Sequence, residues 1–158
     1  MSADLAESAF IGSLMHLPTA RVAEVAALVR TSDLEDPRHR VIFETIVELA
    51  CRGVAPDPAR VFALARTSGR VTTSQCSPVS GVIVDLYTQV PIPAAAEHYA
   101  RSVVEASMRR RVIETCTRLA QAAEGSNLDT LCQLIATESE ALATDVNRLA
   151  VSPLEGAL

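Results

Sequence analysis

The sequence predicts an all-α protein, a compact bundle of about five to six helices followed by a long antiparallel helical hairpin. Three observations carry that expectation. Apolar residues make up 49% of the 158 residues while aromatics make up 3%, so the core is built from Ala, Val, Leu and Ile, which suit closely packed helices. Apolar side chains recur at helical spacing in nearly every segment, between repeated helix start and stop signals. A chain of this length supports one hydrophobic core, or one domain with an appended hairpin, and not two large domains.

The first helix runs through Leu5, Ala9, Ile11, Leu14 and Met15, with Asp4 and Glu7 spaced as an Asp variant of the capping box, and His16-Leu17-Pro18 closes it. Thr19 is placed to cap the second, whose inner face carries Val22, Val25, Ala26 and Val29. The third is the most clearly marked. Asp36 can accept a hydrogen bond from a first-turn amide, and Pro37 has the right φ and no donor to waste. Ile42, Phe43, Ile46, Leu49 and Ala50 then form a broad apolar face, and Gly53 is placed to end the helix. Asp57-Pro58 repeats the start signal for a fourth helix through Val61, Phe62 and Leu64-Ala65, which stops at Ser68-Gly69. Residues 70–77 are polar and read as a loop. The segment from Val79 to Tyr87 is β-branched enough for a strand, but a lone strand has no partner to satisfy its ladder, so a helix is predicted. Val90-Pro91-Ile92-Pro93 forces an extended break, and Pro93 can open the next helix.

Two long helices follow, joined by Gly125-Ser126-Asn127. Tyr99, Ala106, Ile113 and Ala120 repeat every seventh residue on the first, and Leu128, Ile135, Leu142 and Leu149 on the second, with Leu131 and Val146 adding to the stripe. That interval keeps two helices in contact as they wind around each other, and the short link makes the pair antiparallel. Gly125 suits the helix C′ position, and Ser126 with Asp129 can cap the return helix. The expected division is a globular subdomain over 1–92, an associating hairpin over 93–149 and a tail or linker start over 150–158, where Val151-Ser152-Pro153-Leu154-Glu155-Gly156 has linker character. The hairpin exceeds what the globule needs, so its outer apolar surface invites a partner. Tyr99, Ile113, Leu128, Ile135, Leu142 and Leu149 are the candidate interface residues.

A net charge of −5 argues against a surface made to neutralise phosphates, so nucleic-acid contact is expected to be weak or indirect. All 14 basic residues are Arg. Arg109, Arg110 and Arg111 form the one basic cluster, and consecutive helical residues point in different directions, which favours salt bridges or a protein partner over a DNA stripe. The four cysteines, Cys51, Cys76, Cys116 and Cys132, show no metal-ligand spacing; those in helices are expected to behave as small buried apolar groups. His16 and His98 read as surface or packing residues, Glu44 with Glu48 and Glu138 with Glu140 as solvated faces. No catalytic, cofactor-binding or metal-ligating set is identified, and no segment reads as a secretory signal or approaches the roughly 18 apolar residues of a membrane span. A cytoplasmic, non-enzymatic protein is expected.

One set of motifs resembles a known family. Asp36-Pro37-x-His39-Arg40-x-Ile42-Phe43, preceded by Ala6-Glu7-x-x-x-Ile11-Gly12-Ser13-Leu14-Met15 and followed by Gly53-x-x-Pro56-Asp57, is similar to the N-terminal domain of the bacterial replicative DnaB-type helicases. Val90-Pro91, then Glu97-His98-Tyr99-Ala100-Arg101-x-Val103-Val104, then Arg110-Arg111-Val112-Ile113 continue the pattern in the same order. The sequence departs from it at Leu34, where the family has an aromatic, and at Pro78 to Ile83, where the family has Gly-Gly-x-x-Tyr-Leu. It carries no Gly-x-x-x-x-Gly-Lys-Ser/Thr loop, which the ATPase domain of those helicases uses to hold phosphates. The resemblance implies a structural role for Asp36, Pro37, His39 and Arg40, with His39 hydrogen-bonded at the first turn. It also implies a collar in which hairpins pair subunits into dimers, three dimers complete a ring, and primase or loader proteins are recruited. Two other readings are an adaptor or competitor that caps a helicase or titrates primase, and an unrelated all-α regulator binding a small molecule between its helices.

Overall fold

The computed structural model describes residues 3–151, excepting the side chains of 3, 73 and 148–151. Among the described residues every regular element is helical: α1 (Ala3–Leu14), α2 (Thr19–Ala26), α3 (Pro37–Cys51), α4 (Pro58–Thr67), α5 (Cys76–Thr88), α6 (Ala96–Gly125) and α7 (Leu128–Val151), with 3-10 turns at Thr31–Asp33, Thr73–Gln75 and Pro93–Ala95. No single helix among them is long and apolar enough to cross a membrane. The chain divides into two compact units between Val104 and Glu105, inside α6, and not at the 92/93 break. The tail expected over 150–158 begins inside α7, and beyond Val151 it lies outside the described residues.

The globular unit is organised around α3, which packs against α1, α2 and α4, while α5 closes the bundle against α1 and α4. The entry to α3 follows local chemistry. Asp36 Oδ1 accepts from the Arg38 amide at 2.8 Å, and Pro37 occupies the first turn. The same device opens α4, where Asp57 Oδ1 accepts from the Arg60 amide at 3.0 Å beside Pro58. Gly53 ends α3 at φ +69°, which lets the Val54 amide reach back to the Leu49 carbonyl at 2.9 Å. Ile42, Phe43, Ile46 and Leu49 turn inward from α3, and Phe43 meets Phe10 of α1 with ring centroids 5.8 Å apart. Each such side chain contributes about 1.5–3 kcal/mol when fully buried. Gly12 allows α1 and α5 to touch by backbone, since a Cβ there would fall 2.1 Å from the Leu86 carbonyl oxygen.

The β-branched segment is helical as expected, burying Val79, Ile83 and Leu86 at spacings of three and four. Several local details differ from the sequence reading. Asp4 lies inside α1, and Glu7 does not close a capping box: its carboxylate reaches across to the start of α3. Pro18 stands at the N-cap of α2, so Thr19 is its first residue and caps nothing. The 70–77 stretch contains a 3-10 turn, and α5 already begins at Cys76. Pro93 opens a 3-10 turn, and α6 starts three residues later at Ala96.

Candidate functional site

The hairpin formed by α6 beyond Glu105 and by α7 is held in register by side chains. Arg111 donates to Asp145, and Arg118 donates to both oxygens of Glu138 at 3.0 and 2.8 Å, so seven residues forward on α6 correspond to seven back on α7. That descending order is the signature of antiparallel helices. Thr115 adds its hydroxyl to the Glu138 carboxylate at 2.9 Å. The Arg118 hydrogen bond, with that of Thr115, holds the Glu138 carboxyl below the usual range, and Glu138 raises the Arg118 guanidinium. At the link, Asn127 Oδ1 accepts from the Thr130 amide at 2.9 Å, so Asn127 caps α7, and not Ser126 with Asp129. Gly125 is the last residue of α6 and has no left-handed φ, so it is not the C′ glycine expected.

The residues turned between the helices are half-buried or buried: Met108, Arg111, Thr115, Leu119 and Ala122 on α6, and Leu131, Leu134, Glu138, Leu142 and Asp145 on α7. Both rows follow three-four spacing and define the seam. The longest apolar heptad of the sequence is mostly not in it. Leu128 is 72% exposed, Ile135 45% and Val146 51%, and on α6 Ile113 is 66% exposed. Leu142 alone of that heptad lies half-buried in the seam, and the Leu149 side chain lies outside the described residues.

Helix geometry places these exposed apolar residues together. One residue is about 100° of rotation, so Cys116, Ala120 and Ala123, each one step past a seam residue, share a stripe with Ile113. On α7, Cys132, Ile135 and Val146 are likewise one step past seam residues and share a stripe with Leu128. In antiparallel helices the same step turns both stripes to the same side of the hairpin. That side is apolar and small-residue-rich. The opposite side carries Arg110, Glu114 and Gln121 from α6 and Gln133, Thr137 and Thr144 from α7.

The remaining candidates fall elsewhere. Tyr99 is 6% exposed and belongs to the core of the globular unit, so it is not on the hairpin surface. Arg111 is taken up in the seam, Arg110 is half-buried, and Arg109 is exposed at the head of the apolar stripe, which separates the basic cluster into three environments. Glu138 is a seam residue and not part of a solvated face, and Glu48 is paired with Arg52 and Arg70. Cys51, Cys116 and Cys132 are exposed and Cys76 partly so; they lie off the core faces and are not the buried apolar groups expected.

The Asp36 motif is a structural junction. Glu7, 3% exposed, accepts from the Glu35 amide at 2.6 Å and from His39 Nδ1 at 3.1 Å, while Arg40 Nε donates to the Leu34 carbonyl at 2.8 Å. The Arg38 side-chain hydrogen bond draws the Asp36 carboxyl down from 3.8 to about 2. These contacts tie α1 to the first turn of α3. The sequence offers Glu7 as a capping-box partner of Asp4; the signal for a buried role is its place in line with Ile11 and Leu14, on the apolar stripe of its helix. His16 Nε2 lies 2.8 Å from the Tyr87 carbonyl and its ring stacks on that of Tyr87 at 4.1 Å, which joins the ends of α1 and α5. Among the described residues no three His, Cys, Asp or Glu side chains converge as a metal site requires.

The DnaB-like helicase N terminal domain model matches residues 3–105. The Replicative DNA helicase DnaB of Leifsonia xyli subsp. xyli is 32% identical over 130 residues, which is 79% of this chain and 27% of that protein. The Replicative DNA helicase DnaB of Geobacillus stearothermophilus is 33% identical over 118 residues, 73% of this chain and 25% of that protein. The chain thus spans about a quarter of the length of these relatives. In three dimensions it is similar to the crystal structure of the N-terminal domain of DnaB helicase from Mycobacterium tuberculosis, with a TM-score of 0.71 and 24% identity over 85% of this chain and 93% of that one. With its globular unit matched from residue 3 onward, the chain belongs to the DnaB-like helicase N-terminal domain family.

Proposed function

We propose that this chain is a non-catalytic module of a replicative DNA helicase, acting in the cytoplasm through pairing of its hairpins, assembly of the pairs into a trimer of dimers, and contact with primase or loader proteins. Family membership supports the helicase context. The observation that carries the pairing is the apolar side of the hairpin, where Ile113, Leu128, Ile135 and Val146 stand exposed on two helices at once. A second copy presents the same side and covers it by two-fold symmetry. Arg109, beside this stripe and exposed, is the best placed of the three arginines to meet an acidic group on a partner.

The test is the oligomeric state of the full chain by light scattering across concentration, for the native protein and for Ile113→Glu and Ile135→Glu. Burying one such side chain is worth about 1.5–3 kcal/mol, so either charge is expected to weaken association by more than about tenfold. Helical content should be kept, because neither residue is in the seam. A native chain that is monomeric at high micromolar concentration, or variants that associate unchanged, overturn the pairing. Primase recruitment is tested separately, by calorimetric titration of a purified bacterial primase into the chain; no heat of binding overturns that part alone.

A further inference from the structure

Among the described residues the most deeply buried side chains of the hairpin are polar, set in a seam that Leu119, Leu131, Leu134 and Leu142 also line. Thr115 is 4% exposed and Asp145 9%, and the Glu138 side chain is 15% exposed. They face Arg111 and Arg118, so α6 presents two guanidinium groups and a hydroxyl to its neighbour. The helix opposite has two faces to offer. One is the seam row, where Glu138 and Asp145 stand among Leu131, Leu134 and Leu142. The other, about 100° away, is the uncharged row of Leu128, Cys132, Ile135 and Val146. With that second row turned inward, Arg111, Arg118 and the nearly buried Thr115 would stand against Leu, Ile and Val, and would lose their partners as well as water.

We propose that Arg111 with Asp145, and Arg118 with Glu138 and Thr115, form a polar phase lock that fixes the rotation of α7 about its own axis and so keeps Leu128, Ile135 and Val146 facing outward. The polar groups are positioning residues. They occupy seam positions that apolar side chains could fill and hold the uncharged row where another surface can reach it. What that row then does rests on the pairing proposed above, whereas the rotation itself is a property of the hairpin. The lowered carboxyl of Glu138 accords with a charged, hydrogen-bonded partner in the seam.

The experiment reads rotation by thiol labelling and association by light scattering in the same 158-residue chains. In a background with Cys51, Cys76 and Cys116 replaced by Ser, the outward Cys132 is compared with a seam thiol, Leu134→Cys in a chain that also carries Cys132→Ser. Maleimide labelling is done at nanomolar protein concentration. The outward thiol is expected to label about tenfold faster than the seam thiol. Reversing the charges on α7 alone, Glu138→Arg with Asp145→Arg, should bring the two rates together or invert them. Adding Arg111→Glu and Arg118→Glu, which restores the pairs with opposite sign, should recover the original ratio.

A charge-reversed chain that keeps the native ratio overturns the lock. If the reversed chain instead loses helix content, the swapped chain decides: recovery of helix and ratio supports the lock, and failure to recover overturns it. Rotation that responds as described while the native chain never associates leaves the lock standing and removes the pairing.

Discussion

The two compact units differ in the side chains they bury most deeply. Up to Val104 the interior is made of Ile, Leu, Val, Phe and Ala side chains, with a few polar groups such as Glu7 and His39 that find each other. From Glu105 on, the buried residues among those described are Ser107, Thr115 and Asp145, while Ile113, Leu128, Ile135 and Val146 are exposed. The globular unit satisfies its apolar surface within its own chain. The hairpin pairs its polar groups in a seam that also half-buries Met108, Leu119, Leu131, Leu134 and Leu142, and leaves one apolar side uncovered. Apolar burial drives folding of the first and remains available in the second for association. The difference lies in which face is turned inward.

The sharpest way to break this comparison is to shorten one isoleucine in each unit. Ile46, with no exposed surface, lies at the centre of the globular core, and Ile46→Ala is expected to cost about 2–5 kcal/mol through lost burial and the cavity left behind. Ile113→Ala in the hairpin should change monomer stability by less than about 0.5 kcal/mol. Urea unfolding of the full chain, followed by circular dichroism under dilute conditions, measures both. Equal losses would mean that the hairpin is stabilised by the same means as the globule.

A smaller effect is expected where α1 crosses α5. Gly12→Ala puts a methyl group 2.1 Å from the Leu86 carbonyl oxygen and 2.3 Å from Val90 Cγ2. The backbone oxygen cannot turn aside as a long side chain would, so the helices must separate, at about 1–3 kcal/mol. The matching change in the hairpin, Gly125→Ala, meets no atom within 4 Å and should be tolerated. Unfolding midpoints for the two variants test the contrast.

The smallest concerns the α3 cap. Asp36→Ala should cost about 0.5–2 kcal/mol in neutral solution. Asp36 has a carboxyl lowered from 3.8 to about 2 in the folded protein, so its contribution is fully present above the unfolded value and is lost as pH falls through the folded one. Native and Asp36→Ala stabilities should therefore converge between about pH 4 and pH 2. A difference that persists well below about pH 2 would place the stabilisation in packing and not in the carboxylate.

The class of fold and much of its punctuation were legible because they are local. Asp36-Pro37 and Asp57-Pro58 open helices through contacts two or three residues away, and Gly53 ends one by its own φ. The Val90-Pro91-Ile92-Pro93 break and the short link before Leu128 are equally local. The caps that misled, Glu7, Thr19 and Ser126, are residue types that serve several purposes, and the neighbours that chose among these are distant in sequence. Glu7, for example, closes on Glu35 and His39, on the far side of α2.

By itself the sequence therefore determined that the chain is helical, where most of its helices begin and end, and that the last two run antiparallel. The inner faces of α2, α3 and α4 follow the expected apolar residues, whereas tertiary structure alone decided which side of the hairpin helices is inside. The heptad of Leu128, Ile135, Leu142 and Leu149 reads as a seam, yet Arg111 and Asp145, 34 residues apart, and Arg118 and Glu138, 20 residues apart, turn Leu128 and Ile135 outward. Periodicity fixes which residues share a face. What that face meets depends on the chemistry presented by a neighbour elsewhere in the chain, and a guanidinium there selects a carboxylate over a leucine.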